Sequence, residues 1–289
     1  MQVVEHFLKV GEMVVRYERA GSGQPLLLLH GLVGSSRNWR RNIEAFAGHS
    51  TVFALDLPNM GGSERVQGLD ASLEATADRL AATMDVLGIE AADIAAHSHG
   101  GAVALMFAAR HPNRTRRLVL FAPANPFCDL GRRLVHFYST RVGLGFAKLI
   151  PRLPMQWKAI ALRRMYGDER RVPADALAGY TEGLQVPGTI DHVMQIVARW
   201  REDMVTLRAQ LGALVEVPTL LVWGDRDRAV GLQSATELRR SLPRAELVTL
   251  SGVGHIAFEE VPEAVNSTVA RWLEATPCVA GTFRPVMHA

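Results

Sequence analysis

The sequence predicts an α/β protein: a mostly parallel sheet, opened by an antiparallel hairpin, covered by helices on both faces and interrupted once by a helical insertion. Three observations predict it. Short apolar runs alternate with stretches of helical periodicity over residues 25–121 and again over 219–275. The rhythm is lost from about Asn125 to Leu211, where helical spacing is broken by Gly143, Pro151, Pro154, Gly167, Pro173 and Pro187. One run, Asp93–Gly101 (DIAAHSHGG), ends at Ser98 and passes at once into small residues, as a sharp strand-to-helix turn requires.

The chain begins with two alternating runs, Val3–Val10 and Met13–Glu18, around Gly11-Glu12, the pattern of a hairpin, and AGSGQP closes it. Pro25–His30 (PLLLLH) is apolar without alternation, as a strand buried on both faces must be, and it ends at His30-Gly31 before the loop GLVGSS. A helix is expected from about Arg37 to Ala47, then a buried strand Thr51–Leu57 ending in PNMGGS. Helix Ser72–Leu87 carries Leu73, Ala77, Leu80, Ala81, Met84 and Leu87 on one face. The strand delivering Ser98 follows, then helix His99–Arg110, stopped before Pro112, and strand Arg117–Phe121. Beyond the insertion come strand Thr219–Trp223, a helix near Gln233–Ser241, strand Ala245–Leu250, the loop GVGH and helix Pro262–Ala275. The chain thus divides into a core of residues 1–124 and 212–275, an insertion of residues 125–211, and a tail of residues 276–289 that lacks periodicity and is expected to be loosely held.

Composition narrows the partners. With 289 residues, 48% of them hydrophobic, there is ample material for a core. No apolar run approaches the roughly 20 residues of a membrane helix, and MQVVEHFLKV lacks the basic-then-apolar layout of a secretory signal. A cytoplasmic protein without an integral membrane segment is the expectation. Cys128 and Cys278 are too few for a disulfide framework. The formal charge is only +3, and basic and acidic residues interleave over most of the chain, which argues against nucleic acid. The insertion differs: between Gly131 and Arg171 it holds ten basic residues against Asp168 and Glu169. A solvated face is the simplest reading, with an acidic substrate or an anionic surface as alternatives.

In an open parallel sheet the ligand crevice lies at the carboxyl ends of the strands, so residues just after strands can meet. Four such ends carry chemistry: His30-Gly31-Leu32, Ser98-His99, Asp225 to Asp227, and Gly254-His255. A serine becomes a nucleophile when a base takes its proton and a carboxylate holds that base in the right tautomer. Ser98, His255 and Asp227 fit those roles, with Asp225 and Asp129 as other candidate acids. The N–H after a serine in so tight a turn points where an oxyanion forms. His97 and His99 form an HxH pair without a third ligand nearby, so no metal site is expected.

Four motifs together resemble the α/β-hydrolase family over roughly residues 3–275. HGLVGS is similar to its oxyanion loop, DLPNMGGS to its DxPGxGxS turn, AHSHGG to its nucleophile elbow, and WGDRDRAV with GVGHIAFEEVPE to its acid and base loops. Ala96 stands where the elbow usually has glycine, and Asn59 replaces the glycine of the PG turn, a position where asparagine tolerates positive φ. The resemblance implies the α/β-hydrolase fold with a helical cap, Ser98, Asp227 and His255 as catalytic residues, Asp227 being three residues after Gly224, and an oxyanion hole of the backbone N–H groups of Leu32 and His99. It implies no cofactor. Relatives that act on halides and epoxides carry aspartate at the elbow, so Ser98 directs the expectation to acyl chemistry: hydrolysis of a carboxylic ester, or a related acyl bond, of a small-molecule substrate. C–C bond hydrolysis, cofactor-free ring-cleaving dioxygenation and a non-catalytic ligand receptor are the alternatives on the same scaffold. Phe127, Tyr138, Trp157 and Tyr166 are the candidate walls of an apolar pocket.

Overall fold

Alternation in the first twenty residues builds the hairpin: β1 (Val4–Val10) and β2 (Met13–Ala20) pair antiparallel around Gly11, whose φ of +58° closes the turn. A computed structural model describes residues 2–128, 132–138 and 140–278. The apolar runs then supply β3 (Gln24–Leu29), β4 (Ser50–Leu55), β5 (Ala92–His97), β6 (Thr115–Phe121), β7 (Thr219–Gly224) and β8 (Ala245–Leu250). Together they form one eight-stranded sheet in the order β1-β2-β4-β3-β5-β6-β7-β8, parallel from β4 through β8 and antiparallel at β1, β2 and the β2/β4 junction. Strands of this kind are buried on both faces, and alternate residues serve opposite cores. Leu27, Leu29, Ile94 and Ala96 enter one, Leu26, Leu28 and Ala95 the other.

Helices cover both faces. Between β3 and β4 lies α1 (Ile43–Ala47), and α2 (Leu73–Val86), α3 (Ser98–Arg110) and α9 (Leu232–Ser241) follow β4, β5 and β7. After β8 come α10 (Ala257–Glu260) and α11 (Pro262–Ala275). The helices α2, α3 and α9 pack on the first core, and α1, α10 and α11 on the second. The helix expected over 37–47 is instead a 3₁₀ turn, Ser36–Trp39, followed by the five-residue α1. The reason is tertiary. Asn38 accepts from the Ser35 N–H and donates to Glu259, while Asn42 donates to the Phe258 carbonyl and to Asn266, so both amides serve partners outside a continuous helix.

Between β6 and β7 the described residues form α4 (Arg132–Tyr138), α5 (Arg141–Ala147), α6 (Met155–Arg163), α7 (Ala176–Thr181) and α8 (Thr189–Gln210). The N-terminal half of α8 contributes Ile190, Val193 and Met194 to a separate apolar cluster with Ala147 and Leu184. Its C-terminal half delivers Met204 and Leu207 to the first sheet core, so this helix spans both layers. Residues 279–289, most of the expected tail, lie outside the described residues.

Asp203, on the same helix, is buried with its carboxylate facing the Leu73 N–H at the start of α2, 3.4 Å away. Burial raises its pKa from 3.8 to about 6. The folded state therefore holds a proton between about pH 4 and 6 that the unfolded chain releases. Stability falls as pH rises through this window, by about 2–3 kcal/mol from a shift of this size. Asp203→Asn, which keeps an acceptor for Leu73, should be more stable than the parent at pH 7.5 and lose that advantage at pH 4.5, as read by thermal melts at both pH values. A pH-independent difference would show that Asp203 does not titrate in this range.

Candidate active site

The turn from β5 into α3 is tight because its neighbours leave no room for side chains. A Cβ on Gly100 would lie 2.3 Å from the His30 carbonyl oxygen, and one on Gly101 would lie 2.5 Å from Pro123 Cβ. Ser98 sits at the apex with φ of +50°, a conformation rare for a residue with a side chain and maintained only where its surroundings over-determine it. Its carbonyl accepts from the Ala124 N–H at 2.9 Å. Ala96, at the position where the elbow usually has glycine, is fully buried between Leu29 of β3 and Leu120 of β6.

The loops after β7 and β8 bring His255 to Asp227. Nδ1 of His255 lies 2.8 Å from Oδ2 of Asp227, and both side chains are shielded from solvent. The other carboxylate oxygen accepts from the Ala229 and Val230 N–H groups at 2.8 and 2.9 Å. With both N–H donors on Oδ1, Oδ2 faces the ring, so Nδ1 carries the proton and Nε2 presents a lone pair. Asp225 does different work: its exposed carboxylate accepts from the Gly252 N–H and Ser251 hydroxyl, tying the two loops together. Asp129 lies outside the described residues.

His97 and His99 meet different neighbours. His97 is buried beside His255, ring centroids 4.6 Å apart, and its Nε2 is 3.1 Å from the His255 carbonyl oxygen. A carbonyl only accepts, so His97 donates through Nε2. Burial, reinforced by His255, holds its pKa well below the ordinary imidazole range. The strand bearing the serine thereby holds the backbone of the histidine loop. His99 is also buried, and burial, with His192 and His30 adding to it, lowers its pKa to about 3. Its Nδ1 has no hydrogen-bond partner.

The loop after β3 approaches the elbow so closely that a Cβ on Gly31 would stand 3.2 Å from Ser98 Cβ. Gly34 N–H closes the loop on the Gly31 carbonyl at 3.1 Å, and Val33 takes φ of +57°. Among the described residues the Leu32 N–H makes no hydrogen bond, and the first N–H groups of α3, His99 included, have no partner within their own helix. His30 steadies this loop. Its Nε2 accepts from the Leu57 N–H at 2.9 Å, so Nδ1 donates to the Gly31 carbonyl at 2.7 Å. Asp56, fully buried, accepts from the N–H groups of Ser36 and Gly62 at 2.5 and 2.6 Å and pairs with Arg16 at 3.2 Å. A Cβ on Gly61 would overlap the same carboxylate, which explains why DLPNMGGS needs its glycines. Asn59 takes the positive φ expected of it, +59°.

Two further acids escaped the sequence reading. Glu260 accepts from the N–H groups of Gly254, Gly167 and Asp168 at 2.8–3.0 Å. Glu259 accepts from the hydroxyls of Tyr166 and Tyr180 at 3.0 and 3.1 Å; burial raises its pKa and Arg40 opposes the rise. With His255 N–H donating to the Met165 carbonyl at 2.7 Å, these contacts latch the histidine loop onto residues 165–168 of the insertion. The signal was a pair of acids, Glu259-Glu260, inside an otherwise apolar stretch.

Of the four candidate pocket residues, Tyr138 packs on the apolar cluster of Ala147, Leu184, Ile190, Val193 and Met194, on which Leu32 and Val33 of the loop after β3 also pack. The other three meet different surroundings. Tyr166 is core, its hydroxyl committed to Glu259. Trp157 is 59% exposed on α6. Phe127 lies under the guanidinium of Arg208, 5.4 Å from its ring centre. Burial could not be read for them because the helices of the insertion are short and lack a sustained period.

The fold and this arrangement of strand ends define the class. A model of the α/β-hydrolase fold matches residues 24–262, and the chain belongs to that family. It is 30% identical over 273 residues to the dihydrolipoyllysine-residue acetyltransferase component of the acetoin cleaving system of Pseudomonas putida, covering 92% of this chain and 68% of that one. It is 29% identical over 244 residues to 2-hydroxymuconate semialdehyde hydrolase of a Pseudomonas species, covering 82% of each chain. The crystal structure of a membrane phospholipase A superposes with a TM-score of 0.80 at 27% identity, covering 94% of this chain and 86% of that one. Among the described residues, no helix is long and apolar enough to cross a membrane.

Proposed function

We propose that this protein is a serine hydrolase that cleaves a carboxylic ester, or a related acyl bond, of a small to medium apolar substrate. The observation that carries the reading is Ser98 held at φ of +50° on the turn into α3, with the His255–Asp227 pair supplied by the neighbouring strand ends. Nε2 of His255 takes the Ser98 proton as Oγ attacks the acyl carbon. The N–H groups of Leu32 and His99 receive the oxyanion. The protonated His255, balanced by Asp227, then gives its proton to the leaving alcohol. Water repeats the sequence on the acyl-Ser98 ester, releasing the acid and restoring the serine. Residues 125–211 serve as the cap, with the cluster around Tyr138, Leu144 and Val193 as the apolar wall beside the oxyanion loop. The His99 side chain, neutral at physiological pH, adds no charge there. No step calls for a cofactor or metal.

Hydrolysis of p-nitrophenyl esters of increasing acyl length, by parent and Ser98→Ala side by side, tests the reading. Turnover is expected to fall about 10³–10⁶-fold in the variant, with a chain-length optimum that sizes the pocket. No turnover of any ester by the folded parent would overturn it. The similarity to 2-hydroxymuconate semialdehyde hydrolase supports a second reading, C–C bond hydrolysis at the same serine, for which that semialdehyde is the substrate to try.

A further inference from the structure

From Arg132 to Gly167 the sequence contains eight Lys and Arg residues and no Asp or Glu. Among the described residues, the same stretch contains seven of the fourteen large hydrophobic side chains that stand exposed: Phe137, Val142, Phe146, Leu149, Met155, Trp157 and Ile160. The two patterns coincide on two helices. On α5 the inward positions Leu144 and Ala147 join the apolar cluster that touches Leu32 and Val33, while Val142 and Phe146, and Leu149 just past the end of the helix, are exposed with Arg141 and Lys148 beside them. On α6, Leu162 is buried, while Met155, Trp157 and Ile160 face solvent beside Arg163 and Arg164. The Phe137 and Phe146 rings, 6.3 Å apart, extend the outer face of α5 onto α4.

An apolar face on a solvated helix is unfavourable unless something covers it. Among the described residues, the guanidinium groups of Arg141, Arg152, Arg163 and Arg164 make no ion pair or hydrogen bond within the chain, and the Lys148 ammonium makes only an exposed contact with Asp191 at 3.4 Å. Val142 is 75% exposed and Trp157 59%. A cover must therefore accept aromatic and aliphatic side chains and supply negative charge. A second copy of this chain fits poorly, because a two-fold interface would set this predominantly basic surface, whose one acid beside Lys148 is Asp191, against itself. We infer that the outer faces of α5 and α6 dock on an anionic lipid bilayer. Val142, Phe146, Leu149, Trp157 and Ile160 enter the interfacial layer, and Arg141, Lys148, Arg152, Arg163 and Arg164 lie at the level of the headgroups. The inner face of the same α5 belongs to the apolar cluster beside the oxyanion loop, so docking places the proposed acyl pocket one helix away from the lipid.

The test uses the full chain as Ser98→Ala, so that binding is read independently of any hydrolysis, with vesicles of phosphatidylcholine alone or containing about 30% phosphatidylglycerol. Trp157 is the reporter, the most exposed of the five tryptophans: Trp39 and Trp223 are fully buried, Trp272 nearly so, and Trp200 is half-buried. The expected results are co-sedimentation at least about tenfold stronger with the anionic vesicles, release by about 0.5 M salt, and a blue shift of emission that Trp157→Phe abolishes. Replacing Arg141, Arg152, Arg163 and Arg164 together by Gln should weaken binding about 10²–10³-fold. Val142→Ser with Phe146→Ser and Ile160→Ser should abolish the partitioning. Both multiple variants alter exposed side chains and should melt with the parent. Equal binding to the two vesicle types, absence of binding, or binding unaffected by either multiple variant would overturn the inference. So would a dimer without lipid that the triple Ser variant dissociates, since a second copy would then be the cover.

Discussion

Asp227→Asn is expected to lower kcat for ester hydrolysis about 10⁴-fold while leaving the melting temperature nearly unchanged. The argument rests on which oxygen faces which donor. Oδ1 of Asp227 accepts from two backbone N–H groups, Ala229 and Val230, and Oδ2 faces Nδ1 of His255. An asparagine must keep its single oxygen toward the two backbone donors, since turning its NH₂ group there would set donor against donor twice. The NH₂ then faces His255 and donates to Nδ1. The ring proton is forced onto Nε2, the one nitrogen that must be empty to take the Ser98 proton. Geometry survives and the base is lost. Asp225→Asn is the matched control: that exposed carboxylate joins Gly252 and Ser251 and should change kcat by less than about tenfold. If the parent hydrolyses esters and Asp227→Asn keeps its rate, the acid lies elsewhere, and Asp129 is the remaining candidate from the sequence.

The sheet and its helices were legible because both obey short-range rules. Runs such as PLLLLH have no polar residue to spare for solvent, and Leu73, Ala77, Leu80 and Met84 keep one period along α2. Residues at strand ends could likewise be placed together by topology before any distance was known. What stayed hidden depends on partners distant in sequence. Nothing local says that Asn38 and Asn42 will be held by Glu259, Phe258 and Asn266, and those contacts break the expected first helix. Tyr166 and Trp157 look alike in a short helical segment, yet one is sealed against Glu259 and the other stands in solvent. Asp56 belonged to a quoted motif, but its job of binding the Ser36 and Gly62 N–H groups shows only when three loops are in place.

Gly100→Ala is expected to be among the most damaging single methyl additions to this chain. The added Cβ would stand 2.3 Å from the His30 carbonyl oxygen and 2.8 Å from that of Leu29. Both are backbone atoms of the neighbouring strand and its end, where no rotamer change can relieve the contact. The sheet cannot yield either, because Leu29 is paired with Leu55 on one side and Ala96 on the other. The strain should reach about 3 kcal/mol, the upper part of the range for overpacking, or a fall in melting temperature of roughly 6–12 °C. Relief can come only from shifting α3 away from β3, which carries Ser98 and the His99 N–H away from the Leu32 loop. A displacement near 1 Å at reacting groups lowers rate about 10²-fold, so kcat should fall beyond what partial unfolding explains. Gly145→Ala is the opposite case. Its Cβ would meet nothing within 4 Å, and in the interior of α5 the methyl should stabilise by up to about 1 kcal/mol. Thermal melts and kcat at a temperature well below both transitions separate the two effects. A Gly100→Ala protein with unchanged melting and turnover would mean that the contact between α3 and β3 does not fix the elbow.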